Sequence, residues 1–142
     1  MIYITLLIFL SYIIPVICKY GLPTSISATY YTDIGKIWFA GTMILMGLTL
    51  LPSLLDTYPH FLSFWACALL CFVGAIPYSD KIMHHVLAIS SGVISQLIIL
   101  LVNPWILLGW LLTIPIYLFS KKYCLFFIEV WCILSIFILV MI

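Results

Sequence analysis

Hydrophobic and polar positions in this chain segregate into long blocks rather than alternating residue by residue. Apolar runs cover residues 2–18, 37–55, 61–77, 83–102, 104–119 and 123–142, and polar breaks fall at 19–36, 56–60, 77–81, 103–104 and 120–122. A helix needs about 20 apolar residues to cross the hydrocarbon of a bilayer, within a working range of about 17–25. In lipid, at this length, only a helix satisfies its own backbone groups. The pattern therefore predicts an all-α fold, a polytopic transmembrane helical bundle of about six spans in one domain, 1–142, with both termini on the same side. The breaks at 77–81 and 103–104 are the weakest, and joining the runs across them gives four or five spans instead.

Composition sharpens the solvent. The 142 residues are 67% hydrophobic and 6% charged, with mean hydropathy +1.38. Soluble domains carry about 25% charged residues because a globule needs a wet surface. A soluble fold cannot hide two-thirds of its residues, so lipid must face most of this surface. The first run, 2–18, lacks the positive n-region and small-residue cleavage site of a secretory signal and reads as a retained span. The five cysteines, Cys18, Cys67, Cys71, Cys124 and Cys132, form no CxxC pair and read as small apolar packing residues.

Charge adds an orientation. The net charge is +1, from five Lys, no Arg and four acidic residues. Nothing here neutralises a phosphate backbone, which excludes a nucleic-acid partner. Lys121-Lys122 is the longest basic run, too short for a polybasic lipid-binding cluster. With six spans, Lys19 and Lys36 fall in the first loop, Lys81 in the third, and Lys121 and Lys122 in the fifth. The second and fourth loops hold no Lys, so the positive-inside rule makes the first, third and fifth loops cytoplasmic and both termini external. The Ile, Leu, Tyr and Lys bias without Arg points to an AT-rich genome, bacterial or phage, and hence to a bacterial cytoplasmic membrane.

One polar passage stands out, PTSISATYYTDIGK at 23–36. Connections between packed helices are usually short, so a loop this long has room for structure of its own. It reads either as an interfacial loop with Tyr30 and Tyr31 in the aromatic belt, or as a loop lining a site with Ser25, Ser27, Tyr30, Tyr31 and Asp33. Ionisable groups inside spans are costly and default to functional hypotheses. Asp80 and His84 are four residues apart on the fourth span, on one helix face, followed along that face by Ala88, Ser91 and Ser95 with Gly92 and Gln96 beside it. Small and polar stripes of this kind turn toward neighbouring helices. His85 adjoins them. Glu129, the sole Glu, lies about seven residues into the last span, roughly 10 Å deep at 1.5 Å per residue. A pair between Glu129 and His84 or His85 is the expected internal polar contact. Asp80, His84 and His85 are also the candidate ligands of a divalent metal such as zinc. A second Asp-x-x-x-His, Asp56 to His60, contains Pro59 and reads as a solvated turn on the other side.

Ser in an early loop, then Asp and His at membrane edges, resembles the CREST superfamily of membrane hydrolases, to which the alkaline ceramidases belong. Here Ser25 or Ser27, Asp80 and His84 carry the similarity. The resemblance implies zinc-dependent hydrolysis. That family binds zinc with three His, two of them as HxxxH in a late span, whereas this chain has no His after His85 and one helix fewer. The SISATYY loop before a Trp-containing span is also similar to small DRAM/Frag-type multispan proteins.

The chain holds no HExxH, GxSxG or phosphate loop. The leading expectation is thus a non-catalytic membrane module: an oligomeric scaffold, a pore or a lipid-sensing subunit. Its expected partners are membrane lipids, a second copy of the chain or another membrane protein. The alternatives are a metal-dependent intramembrane lipid hydrolase using the His/Asp/Glu cluster, or a proton-coupled transporter along Ser91, Ser95 and Gln96.

Overall fold

A computed structural model describes residues 1–57, 59–76 and 81–142. Among them every regular element is helical. The α-helices are α1 (Ile2–Tyr20), α2 (Asp33–Leu55), α3 (His60–Ala75), α4 (Lys81–Val102), α5 (Thr113–Phe119) and α6 (Cys124–Met141). Tighter 3-10 turns occupy Ser27–Tyr31, Pro104–Leu112 and Lys121–Tyr123. Four stretches are long and apolar enough to cross a membrane: Ile2–Tyr20, Asp33–Leu55, Lys81–Val102 and Lys121–Met141. His60–Ala75 and Pro104–Phe119 are shorter apolar helices.

Local chemistry sets the boundaries. α1 runs to Tyr20 because Gly21 follows at φ 77, a left-handed conformation open to glycine, and its N–H closes onto the Ile17 carbonyl at 2.9 Å. α2 begins four residues before its apolar run. The Thr32 hydroxyl accepts the Gly35 N–H at 2.9 Å, and Asp33 in the first turn complements the helix dipole. Pro15 and Pro52 sit inside α1 and α2, as membrane helices tolerate.

The helices close into a ring. α1 packs on α2, α2 on α3 and α3 on α4, α4 packs on α6, and α6 returns to α1. The segment 104–119 lies outside this ring, against α4 and α6. Gly109 brings it close: a Cβ there would stand 1.9 Å from the Trp131 ring of α6. The tightest junction is α2 on α3. A Cβ on Gly47 would lie 2.5 Å from Cys71 Sγ and 2.8 Å from the Cys67 carbonyl, and one on Gly74 would lie 2.7 Å from the Ala40 carbonyl. Small residues permit such backbone approach where no hydrophobic force drives helices together in lipid. Gly47→Val is expected to lower thermal stability in detergent by about 1–3 kcal/mol, the usual cost of overpacking, and an unchanged melting curve would contradict this packing.

Burial is arranged for lipid. Val16, Phe39, Met46, Leu54, Ile98 and Ile99 are fully buried, while Ile37, Trp38, Phe61, Ile82, Trp105 and Phe119 stand exposed on the outside. Exposed apolar surface on this scale marks contact with something apolar. Together with the four long helices, it fits a membrane protein.

Candidate functional site

The polar passage between α1 and α2 folds inward. The Ser25 hydroxyl accepts the Ala28 N–H at 2.9 Å and starts the 3-10 turn. The turn continues with Thr29 N–H donating to the Ile26 carbonyl at 3.1 Å. Thr32 ends it, its hydroxyl donating to the Thr29 carbonyl at 2.7 Å while capping α2. Thr29 shares a hydrogen bond with the Tyr12 hydroxyl of α1. Ser25, Ile26, Ser27 and Thr29 are buried, Tyr30 is half-buried, and Tyr31 and Asp33 are exposed. The loop thus divides: Ser25 and Ser27 turn in, whereas Tyr31 and Asp33 face out. Tyr30 packs edge-on against Phe39 with ring centroids 6.1 Å apart.

Two helices hold this loop from its other side. The Thr24 carbonyl accepts the Phe126 N–H at 3.1 Å, taking up one of the free donors in the first turn of α6. One turn further, the Glu129 carboxylate accepts the Ile26 N–H, with the Ser27 N–H beside it. From α4, His84 Nε2 and Ser27 Oγ share a hydrogen bond of 2.9 Å. The His84 ring is buried and lies 5.9 Å from Phe39, centroid to centroid. His85, the next residue, is exposed; its Nδ1 donates to the Lys81 carbonyl at 2.5 Å. Adjacent helical positions point apart, and the two imidazoles stand at 79° to each other.

The structure therefore gathers Ser25, Ser27, His84, His85 and Glu129 at one end of the ring. Of the expected Glu129–His pairs, His85 acts on the Glu129 carboxylate through its charge, while the loop meets both helices, its Ile26 amide donating to the carboxylate and its Ser27 hydroxyl sharing a hydrogen bond with His84. Asp80, the fourth member of the expected cluster, lies outside the described residues. The zinc expectation rests on Asp80 with His84 and His85, and among the described residues no three of His, Cys, Asp and Glu converge. Asp56 and His60 are exposed on either side of the turn between α2 and α3.

Beneath the polar end lies a cavity of about 580 Å³ inside the ring. α2 contributes Phe39, Met43, Met46 and Leu50, α3 Leu70 and Val73, and α6 Ile133, Ile136 and Phe137. The α4 stripe of Ala88, Ser91, Gly92, Ser95 and Gln96 lines it as well. Most of those polar groups are spoken for. Ser91 Oγ donates to the Ala66 carbonyl at 3.1 Å and Ser95 Oγ to the Ser91 carbonyl at 2.8 Å. Gln96 Nε2 donates to Ser135 Oγ at 3.1 Å, and Gln96 Oε1 accepts the Trp110 indole N–H at 2.9 Å. Trp110 and Ser135 were not among the candidate residues, nor were Thr24, Thr29 and Tyr12. Hydroxyls inside apolar runs, Tyr12 beside Ser11 and Ser135 on its own, were the signal that could have found two of them. Ile89, Val93, Leu97 and Leu125 both line the cavity and are exposed, so it reaches the outer surface between α4 and α6.

No family model, curated protein or solved structure matches this chain.

Proposed function

We propose that this is a non-catalytic multi-pass membrane protein that holds a lipid within its ring of helices. The observation that carries the reading is the cavity. Its walls are apolar along the helices, one end is polar, and one side opens between α4 and α6 toward the surrounding lipid. Ligand sites are mainly apolar clefts of about 300–1,000 Å³ with a few convergent polar groups, and this one has the division of an amphiphile.

In this reading all six apolar segments span. α3, with 16 residues, reaches about 24 Å at 1.5 Å per residue. The segment 104–119 gains length from its winding: nine residues at about 2.0 Å and seven at about 1.5 Å reach about 28 Å, close to the ~30 Å hydrocarbon. The three Lys-bearing connections then meet at the polar end, on the cytoplasmic side of a bacterial membrane, with both termini opposite. A reporter enzyme that works only outside the cytoplasm is expected to be active when fused after Ile142 and inactive when fused after Ser120. The reverse pattern would overturn this orientation.

Lipid extraction from protein purified in mild detergent tests the function itself. About one lipid per chain is expected in the native protein. Gly92→Trp should lose it by filling the cavity, since among the described residues a Cβ at Gly92 meets just Cys132 Sγ, at 3.7 Å. Ile82→Trp, on the exposed outer face, should keep it. Equal occupancy in all three proteins would sink the proposal.

One observation favours a second reading, hydrolysis of a lipid at the same end. Ser27 Oγ lies 2.9 Å from His84 Nε2, within reach for a nucleophile and its base. A serine-reactive fluorophosphonate would label Ser27 if this reading holds, and elemental analysis of the same preparation would report any bound zinc.

A further inference from the structure

Resting on the lipid-binding reading, we infer that residues 104–112 form a strap across a lateral doorway between α4 and α6, and that hydrogen bonds joining Trp110, Gln96 and Ser135 set how fast lipid passes through it.

The doorway follows from which residues line the cavity. The segment 104–119 lies outside the ring, against α4 and α6, yet its Leu107 and Trp110 line the cavity inside. A residue outside the ring reaches that space only through a gap, so α4 and α6 stand apart at this level and the strap supplies the missing wall. Nearer the polar end the same seam is bare. Ile89 and Val93 of α4 and Leu125 of α6 line the cavity there and are exposed. Gln96 stands twelve residues beyond His84, about 18 Å along α4 at 1.5 Å per residue. A lipid with its head at the polar end therefore has the far part of its tail behind the strap. The head meets an open seam, but the tail leaves sideways only when the strap lifts.

The strap is lightly held except at one place. Ile106 is the one buried residue in 104–119. Pro104–Leu112 keeps 3-10 winding for nine residues, where runs beyond about three or four are uncommon and mark hinges. Segments with few buried side chains are the first to open. Against this stands the clasp. The Trp110 indole N–H donates to Gln96 Oε1 at 2.9 Å, and Gln96 Nε2 donates to Ser135 Oγ at 3.1 Å. Ser135 Oγ in turn donates to the Cys132 carbonyl at 3.0 Å. One amide thus ties strap, α4 and α6 together, and among the described residues the Trp110 bond is the hydrogen bond that joins the strap to the ring. Hydrogen bonds between helices in lipid are worth a factor of about three to ten in an equilibrium. The bond exists only in the closed state, so its loss raises the open fraction by that factor. Entry and release then quicken together, and occupancy stays where it was.

The test follows lipid exchange in the full chain. Cells grown on deuterated oleate supply protein carrying heavy lipid, and micelles of unlabelled lipid extract from the same cells are the probe. Native mass spectrometry reads the replacement. Trp110→Phe keeps an aromatic ring but removes the donor, and Gln96→Leu removes the whole clasp. Each should exchange three to ten times faster than the native protein at unchanged occupancy. The double variant should be no faster than Gln96→Leu, since both changes break the same bond. Ser91→Ala is the control, because it removes a hydrogen bond from α4 to the Ala66 carbonyl of α3, away from the seam. Its rate should stay within twofold of native. Trp110→Phe carries the test alone if Gln96→Leu does not fold. Native rates in the clasp variants, or equal acceleration in Ser91→Ala, would overturn the strap while the lipid-binding reading stands. Loss of occupancy in Trp110→Phe would also overturn it, by making Trp110 part of the lipid's hold rather than of its door. If no lipid co-purifies with the native protein, the lipid-binding reading fails and this inference with it.

Discussion

Replacing Glu129 with Leu is expected to release residues 24–29 from the bundle. The Ile26 N–H is buried with its residue, and the Glu129 carboxylate is its acceptor. A hydrogen bond contributes about 0.5–1.5 kcal/mol net, and a buried donor left without an acceptor costs about 1–3 kcal/mol. The loop has a second tie to α6 through Thr24 and one to α4 through Ser27, so the variant should loosen the segment before it unfolds the ring. Hydrogen exchange of the amides from Ile26 to Thr29 should accelerate at least tenfold in Glu129→Leu. Glu129→Gln should restore most of the protection because its carbonyl oxygen still accepts. Unchanged exchange in the Leu variant would mean that the carboxylate does not hold the loop.

The second large effect is expected at Gly35. A Cβ there would stand 1.7 Å from the Thr29 carbonyl oxygen and 2.5 Å from its carbon, a clash with backbone rather than with a pliable side chain. The Thr29 carbonyl cannot easily retreat. It accepts both the Thr32 N–H at 3.0 Å and the Thr32 hydroxyl at 2.7 Å, and Thr32 caps α2. Gly35→Ala must therefore break the cap or push the 3-10 turn into the cavity, at a cost above the about 1–3 kcal/mol typical of overpacking. Thermal unfolding in detergent should shift downward, and lipid occupancy should fall with it. Gly41→Ala is the control, since nothing lies within 4 Å of a Cβ at that position. There the change should be neutral or gain up to about 1 kcal/mol from helix propensity. Equal behaviour of the two variants would remove the argument for a close approach at Gly35.

Much of the helical arrangement was legible because lipid imposes a length on apolar runs. The runs at 2–18, 83–102 and 123–142 became α1, α4 and α6 with ends shifted by one or two residues. Capping explains the larger shift at α2: Thr32 starts the helix through polar residues that an apolar count discards. The winding of 104–112 was not legible. Pro104 marks a start, yet the segment packs through Gly109 on Trp131, a contact between residues 22 positions apart in sequence that local spacing does not show. The inward turn of Ser25 and Ser27 was one of two readings that the polar passage allowed. Its partners were harder. Sequence spacing shows that His84 and His85 diverge, but not which of them faces inward, and that Glu129 needs a partner, but not that a backbone amide of a distant loop supplies it.

The ring also carries a consequence for synthesis. Thr29 meets Tyr12 of α1, but the groups that hold Thr24, Ile26 and Ser27 come from α4 and α6, the latter more than 90 residues later, counting from Ser27 to Phe126 and Glu129. While the earlier helices enter the bilayer, the Ile26 amide and the Thr24 carbonyl can be satisfied only by water, which keeps the segment at the membrane surface. The cavity's polar end is thus assembled last. Its loop folds inward when α6 arrives, and a chain stopped before Cys124 should leave residues 24–27 open to protease even with α1 to α4 inserted.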